Sequence, residues 1–137
     1  MDKAQKELIK TYIRKALQRS YLEPYEIVYM LNNNIDFDLS KLDGVNIRYL
    51  LIKQPKLIDK LDLSKLFGNN ISYLLSYQPK LIDKFNLDKL YGRDISELLI
   101  KQPQFIDKFD LSKLGGYDIN TLLSRQPQLK SHFKKNG

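Results

Sequence analysis

From Leu39 onward the apolar residues return in the same order every 24 positions, giving four adjacent blocks, 39–62, 63–86, 87–110 and 111–134, without insertion. The second block reads LSKLFGNNISYLLSYQPKLIDKFN and the third LDKLYGRDISELLIKQPQFIDKFD, and nine of the 24 columns hold one residue in all four blocks. Within each block Leu-x-x-Leu is followed by Ile-x-x-Leu-Leu, whose apolar spacing of i, i+3 and i+4 lines one face of a helix and suits no alternating strand. A β-solenoid is the competing architecture, but the Leu-Leu pairs, caps and prolines favour helices.

The polar positions punctuate this pattern. Asp38, Asp62, Asn86 and Asp110 precede Leu-x-Lys-Leu, so each is expected to cap a one-turn, 3₁₀-like helix, with Gly44, Gly68, Gly92 and Gly116 as left-handed exits. Asn46, Asn70, Asp94 and Asp118 stand before Ile-x-x-Leu-Leu and read as caps of the main helix. That helix must end near Gln54, Gln78, Gln102 and Gln126, because the prolines that follow disfavour helix before them and start a third short element, such as 79–85. Eight recurring apolar columns are too few to give one block a core of its own, so the blocks are expected to stack as a short all-α solenoid.

The flanks read as caps. Residues 3–19 put Leu8, Ile9, Tyr12, Ile13, Ala16 and Leu17 on one face and Lys3, Lys6, Lys10 and Arg14 mostly on another, a helix suited to covering the first repeat. A second helix starts at Pro24, and Ile35-Asp36-Phe37-Asp38 echoes the end of a block, so residues 1–38 form a helical cap with a degenerate repeat. In the last block Lys130 and Ser131 replace the Ile and Asp of the other blocks, a polar outer face before a tail at 135–137. Caps at both ends suggest a monomer.

The period, the Leu-x-x-Leu turn, the Ile-x-x-Leu-Leu helix and the x-Pro junction together resemble the leucine-rich variant repeat, a bacterial 24-residue unit. The resemblance covers about 96 of the 137 residues. It implies alternating α and 3₁₀ helices in a right-handed superhelix, although Gln-Pro stands where that family commonly has Asn-Pro. The blocks are also similar to LLxxQPxF tandem arrays of uncharacterised bacterial and prophage proteins. Both likenesses imply a binding scaffold and neither carries a catalytic residue.

Composition narrows the chemistry. The chain has no Cys and a single His, His132, which removes thiolate metal sites, cysteine nucleophiles and nearly every histidine-based site. Asp59, Asp83 and Asp107 recur as a row and do not converge as an acid–base pair. We therefore expect no enzyme, no metal and no cofactor. The formal charge of +7 favours acidic partners. The N-terminal pattern has neither a signal-peptide core nor a membrane span, so the expected location is the cytoplasm.

Columns that vary are the better binding candidates, since a scaffold fixes what packs and frees what touches a partner. Two such columns share a face of the main helix: Tyr49 with Lys53, Tyr73 with Tyr77, Glu97 with Lys101, and Thr121 with Arg125. They predict a Tyr and basic ridge, against the plainer reading of a solvated face. A second set flanks the glycines, where Phe67, Tyr91, Arg93 and Tyr117 either anchor a partner or cover a neighbouring backbone. The recurring Gln column reads as satisfying backbone groups at the proline corner, and Lys41, Lys65, Lys89 and Lys113 as complementing the short helices' dipoles. The expected function is a protein-binding scaffold acting by occupancy, as adaptor or inhibitor, including a phage-type inhibitor of a host defence nuclease or its guide complex. The alternative is a sequence-independent nucleic-acid binder using a basic face.

Overall fold

The computed structural model describes residues 2–16, 23–33 and 39–133, and among these every regular element is a helix. The α-helices are α1 (Lys3–Ala16), α2 (Pro24–Asn32), α3 (Gly44–Lys53), α4 (Gly68–Tyr77), α5 (Gly92–Lys101) and α6 (Gly116–Arg125). Each repeat places a one-turn 3₁₀ helix before its α-helix and a longer 3₁₀ segment after it, an all-α repeat solenoid in class. Expectations at Leu17, Arg19, 35–38 and Lys134, including the Asp38 cap, lie outside the described residues. The chain forms two compact units, Met1–Asp62 and Leu63–Gly137.

The second unit shows how three consecutive blocks become a stack. Its one-turn helices close with i to i+3 bonds from Leu66, Leu90 and Leu114 N–H to the carbonyls of Leu63, Leu87 and Leu111, each 3.1 Å. Asn86 Oδ1 accepts from Asp88 N–H at 3.0 Å, and Asp110 Oδ1 accepts from Ser112 N–H at 3.1 Å, which is the expected capping. The Ser112 hydroxyl adds a 2.6 Å bond to the same oxygen, and it and the Ser112 N–H, with Lys113 close by, hold the Asp110 carboxyl below the usual aspartate range.

Two expectations about the helix start are corrected. The repeated glycine is the first residue of the α-helix and not a left-handed exit, and its requirement is steric. A Cβ on Gly68 would stand 2.5 Å from the Lys89 carbonyl oxygen and 2.6 Å from Asp94 Oδ2 of the next repeat, and one on Gly92 would meet Lys113 and Asp118 likewise. Asn70, Asp94 and Asp118 are not N-caps but sit at the third helical position, reaching back to the backbone N–H of Phe67, Tyr91 and Gly115 at 3.0, 3.0 and 3.3 Å. That frees the side chain at the N-cap position from capping.

Each α-helix ends as expected. Gln78, Gln102 and Gln126 N–H close the last turn onto Leu74, Leu98 and Leu122, and the following proline opens a 3₁₀ segment: Pro79–Lys84, Pro103–Lys108 and Pro127–Phe133. The Gln side chains then join repeats. Gln102 Nε2 donates to the Ser76 carbonyl at 2.9 Å and Gln126 Nε2 to the Ile100 carbonyl at 2.8 Å, satisfying half-buried carbonyls in the last turn of the preceding helix. The recurring lysines also reach backwards, from Lys89 Nζ to the Leu66 carbonyl at 3.2 Å and from Lys113 Nζ to the Leu90 carbonyl at 3.4 Å. Ser72 and Ser96 hydroxyls donate forwards, to the Asp94 and Asp118 carbonyls at 2.8 and 3.0 Å.

Between these polar ties lies the apolar core. Ile71, Leu74 and Leu75 of α4 and Ile95, Leu98 and Leu99 of α5 are fully buried, α4 packing on α5 and α5 on α6. In α6 only Leu122 is fully buried, whereas Ile119 and Leu123 are half-buried and line an apolar groove with Phe133. The expected polar ending holds at Lys130 and Ser131, both exposed, but not on the helix side of this repeat.

In the first unit Ile27 and Met30 of α2 and Leu42, Ile47, Leu50 and Leu51 are buried together, with α2 against α3. Here α2 is itself a repeat helix. Glu26 reaches back to Glu23 N–H at 2.9 Å as Asn70 does to Phe67, and Gln54 Nε2 donates at 2.9 Å to the side-chain Oδ1 of Asn32, the residue in the column where Gln102 uses the Ser76 backbone carbonyl. The register is 20 residues before the first block, not 24, so Tyr29 stands in the column of Tyr49 and Tyr73, and Tyr25 in that of Arg93 and Tyr117. Asp2 and Gln5 form a reciprocal cap on α1, with bonds of 2.9 and 2.8 Å. The expectation that α1 buries its apolar face is corrected in part: Leu8 is 73% exposed and Tyr12 is exposed as well.

Candidate binding surface

The constant columns are spent on stacking, so the chemistry left for a partner is on the outward positions of the α-helices and the turns before them. On α4, Tyr73 and Tyr77 are four residues apart and both exposed. Their rings lie 5.1 Å between centroids at 47°, a tilted pair that holds each ring in place while leaving faces open. Lys101 on α5 and Arg125 on α6 are exposed in the same column as Tyr77. In the first unit the corresponding pair is Tyr49 and Lys53, whose ammonium stands 5.7 Å from the ring centroid.

Two members of the predicted ridge are occupied locally. Glu97 accepts from Arg93 Nε at 3.1 Å, an exposed i, i+4 pair, and Thr121 Oγ1 donates to the Tyr117 carbonyl at 2.9 Å. The ridge of the second unit is therefore Tyr73, Tyr77, Lys101 and Arg125. A groove of about 460 Å³ between α5 and α6 is lined by Arg93, Glu97, Tyr117 and Thr121; Arg93 and Tyr117, expected in the turns flanking the glycines, are second residues of their α-helices and so join the ridge columns.

The aromatics flanking the glycines do not cover a neighbouring backbone. Phe67, Tyr91 and Tyr117 are 75%, 79% and 83% exposed. Phe67 and Tyr91 stand at N-cap positions, where an aromatic side chain is tolerated because Asn70 and Asp94 supply the reciprocal bond instead. Large apolar side chains held this far into solvent by ordered backbone are available as anchors.

Sequence reasoning missed Tyr25 and Tyr29, both exposed, because the shortened register of α2 hid their columns. Their spacing, i and i+4 like Tyr73 and Tyr77, was the signal that could have found them. In the acidic row Lys108 Nζ stands 3.3 Å from Asp83 Oδ1, and His132 Nδ1 stands 3.8 Å from Asp107 Oδ1, each an exposed contact between one repeat and the previous one. Among the described residues no group of three or more His, Asp and Glu side chains converges, and no helix is long and apolar enough to cross a membrane. No family model, curated protein or solved structure matches the chain.

Proposed function

We propose that this chain is a non-catalytic repeat scaffold that binds a protein and acts by occupancy, as an adaptor or an inhibitor, with an acidic protein or a nucleoprotein as the partner its charge favours. The observation that carries the reading is the exposed Tyr73–Tyr77 pair of α4, with Lys101 and Arg125 exposed in the matching column of α5 and α6, on helices whose other faces are committed to stacking. Tyr and Arg are the residues that most often dominate interface energies, since each combines a large rigid contact with hydrogen bonding. A phage-type inhibitor of a defence nuclease is one form such occupancy would take.

Binding through nucleic acid is the weaker reading. Charge supports it, but Lys89 and Lys113 spend their ammonium groups on backbone carbonyls, and Lys108 pairs with Asp83. Affinity capture from lysate of the source cells, with and without nuclease digestion, separates the two. A protein retained after digestion supports the scaffold reading, and recovery of nucleic acid alone, released steeply by salt, overturns it.

A further inference from the structure

We propose that this chain associates with further copies of itself, the open face of α6 in one copy stacking on the open face of α2 in the next as α5 and α6 stack within the chain. Every stacked repeat has two faces. Ile95 and Leu99 of α5 are fully buried, whereas Ile119 and Leu123, in the same columns of α6, the last helix of the stack, are half-buried. These columns therefore form the outgoing face, covered by the helix that follows. The incoming face is seen on α6, where Tyr117, Asp118 and Thr121 line the groove against α5.

The chain leaves both halves of this contact open, and that names the occupant. In the second unit Ile119, Leu123, Lys130, Ser131 and Phe133 line a groove of about 540 Å³. Gly116 has nothing within 4 Å of its Cβ position, the place where Gly68 and Gly92 meet a carbonyl and an Asp carboxylate of the next repeat. In the first unit Tyr25, Glu26 and Tyr29 of α2 stand in the columns of Tyr117, Asp118 and Thr121, and they line a cleft of about 550 Å³ with Leu8, Ile9 and Tyr12 of α1. That cleft is open, since Leu8 and Tyr25 are 73% and 64% exposed. Glu26 accepts the Glu23 N–H as Asp94 accepts that of Tyr91, and Asp94 does so with its carboxylate against Gly68 of the preceding repeat. Gly116 of a second copy is the corresponding seat for Glu26. The two faces differ, so the contact is heterologous and each assembled chain keeps a free face. Mostly apolar faces on chains of formal charge +7 should associate more tightly as salt screens their repulsion.

Sedimentation velocity of the full chain, from about 1 μM to about 1 mM, reads the association. The native chain is expected to pass from monomer to dimer and larger species as concentration rises, and to do so more readily at higher salt. Gly116→Leu fills a position that is open in the isolated chain, and Tyr25→Glu puts a charge on the incoming face. Each is expected to weaken association by about tenfold or more with circular dichroism unchanged, and Tyr73→Ala to leave it unaltered. At a concentration where each variant alone is monomeric, an equal mixture of Gly116→Leu and Tyr25→Glu still holds one intact pair of faces, so it is expected to form a dimer and nothing larger. A native chain that stays monomeric throughout, full association by Gly116→Leu or Tyr25→Glu, a mixture that fails to dimerise, or association that salt dissolves would each overturn the proposal.

Discussion

Gly68, Gly92 and Gly116 occupy one column but not one environment. A backbone carbonyl of the following repeat sits where a Cβ of Gly68 or Gly92 would be, while nothing lies within 4 Å of that position at Gly116. Gly68→Ala and Gly92→Ala should therefore destabilise by about 1–3 kcal/mol, because the obstacle is main chain and cannot swing aside. Gly116→Ala should be neutral or stabilise by up to about 1 kcal/mol, since it only restricts the unfolded chain. Urea unfolding of the three variants checks the contrast, and equal effects at all three would refute the stacking explanation. The glycines were legible in the sequence as fixed points, but a single block cannot show that the reason for each one sits in the next block. Asp110 makes a second residue-scale case. Its lowered pKa means that its carboxylate contributes stability above the unfolded-state pKa, and that this contribution is lost as pH falls through the folded-state pKa. Ser112→Ala removes the hydroxyl bond, so an NMR titration should show the Asp110 midpoint rising towards an ordinary aspartate value.

At the scale of an element, a helix here is completed by its neighbours. The last turn of α4 has its Ser76 carbonyl satisfied by Gln102 from the following repeat. Gln102→Ala should cost about 1 kcal/mol, and hydrogen exchange should show the extra opening at the C-terminal end of α4, far from Gln102 in sequence. Protection lost only in α5 would contradict this. The α-helices, their proline-bounded ends and the buried Ile-x-x-Leu-Leu stripe could be read from spacing alone, because each follows from local geometry. The caps could not be placed correctly: an Asn or Asp before an apolar run reads as an N-cap, whereas Asn70 and Asp94 act from the third position and the helix begins three residues earlier than that reading puts it. The same reciprocal bond from Glu26 reveals α2 as a repeat helix, a relation hidden by the 20-residue register and by Pro24 in the glycine column. Amphipathicity predicted α1, but not that Leu8 and Tyr12 would remain in solvent.

For the molecule as a whole, the division of labour between columns is the central result. Residues repeated in every block serve the stack: leucines and isoleucines in the core, Gly68 and Gly92 at the backbone contact with the next repeat, Gln and Lys on carbonyls of the preceding one. Among the residues that change from block to block, Ser72 and Ser96 are buried ties to the next repeat, whereas the ridge members Tyr73, Tyr77, Lys101 and Arg125 and the aromatics flanking the glycines face solvent. This was legible in outline, since variation at fixed helical spacing marks the outward face. The commitment of Glu97 to Arg93 and of Thr121 to its own backbone was not, because both depend on rotamers. The most direct test of the division is one variant with two readouts. Tyr73→Ala, Tyr77→Ala, Lys101→Ala and Arg125→Ala are combined, then compared with the native chain for urea stability and for retention of the captured protein. Stability within about 1 kcal/mol of the native chain is expected, as exposed substitutions allow, together with loss of the captured protein. Undiminished retention by a folded variant, or a collapse of stability, would contradict it.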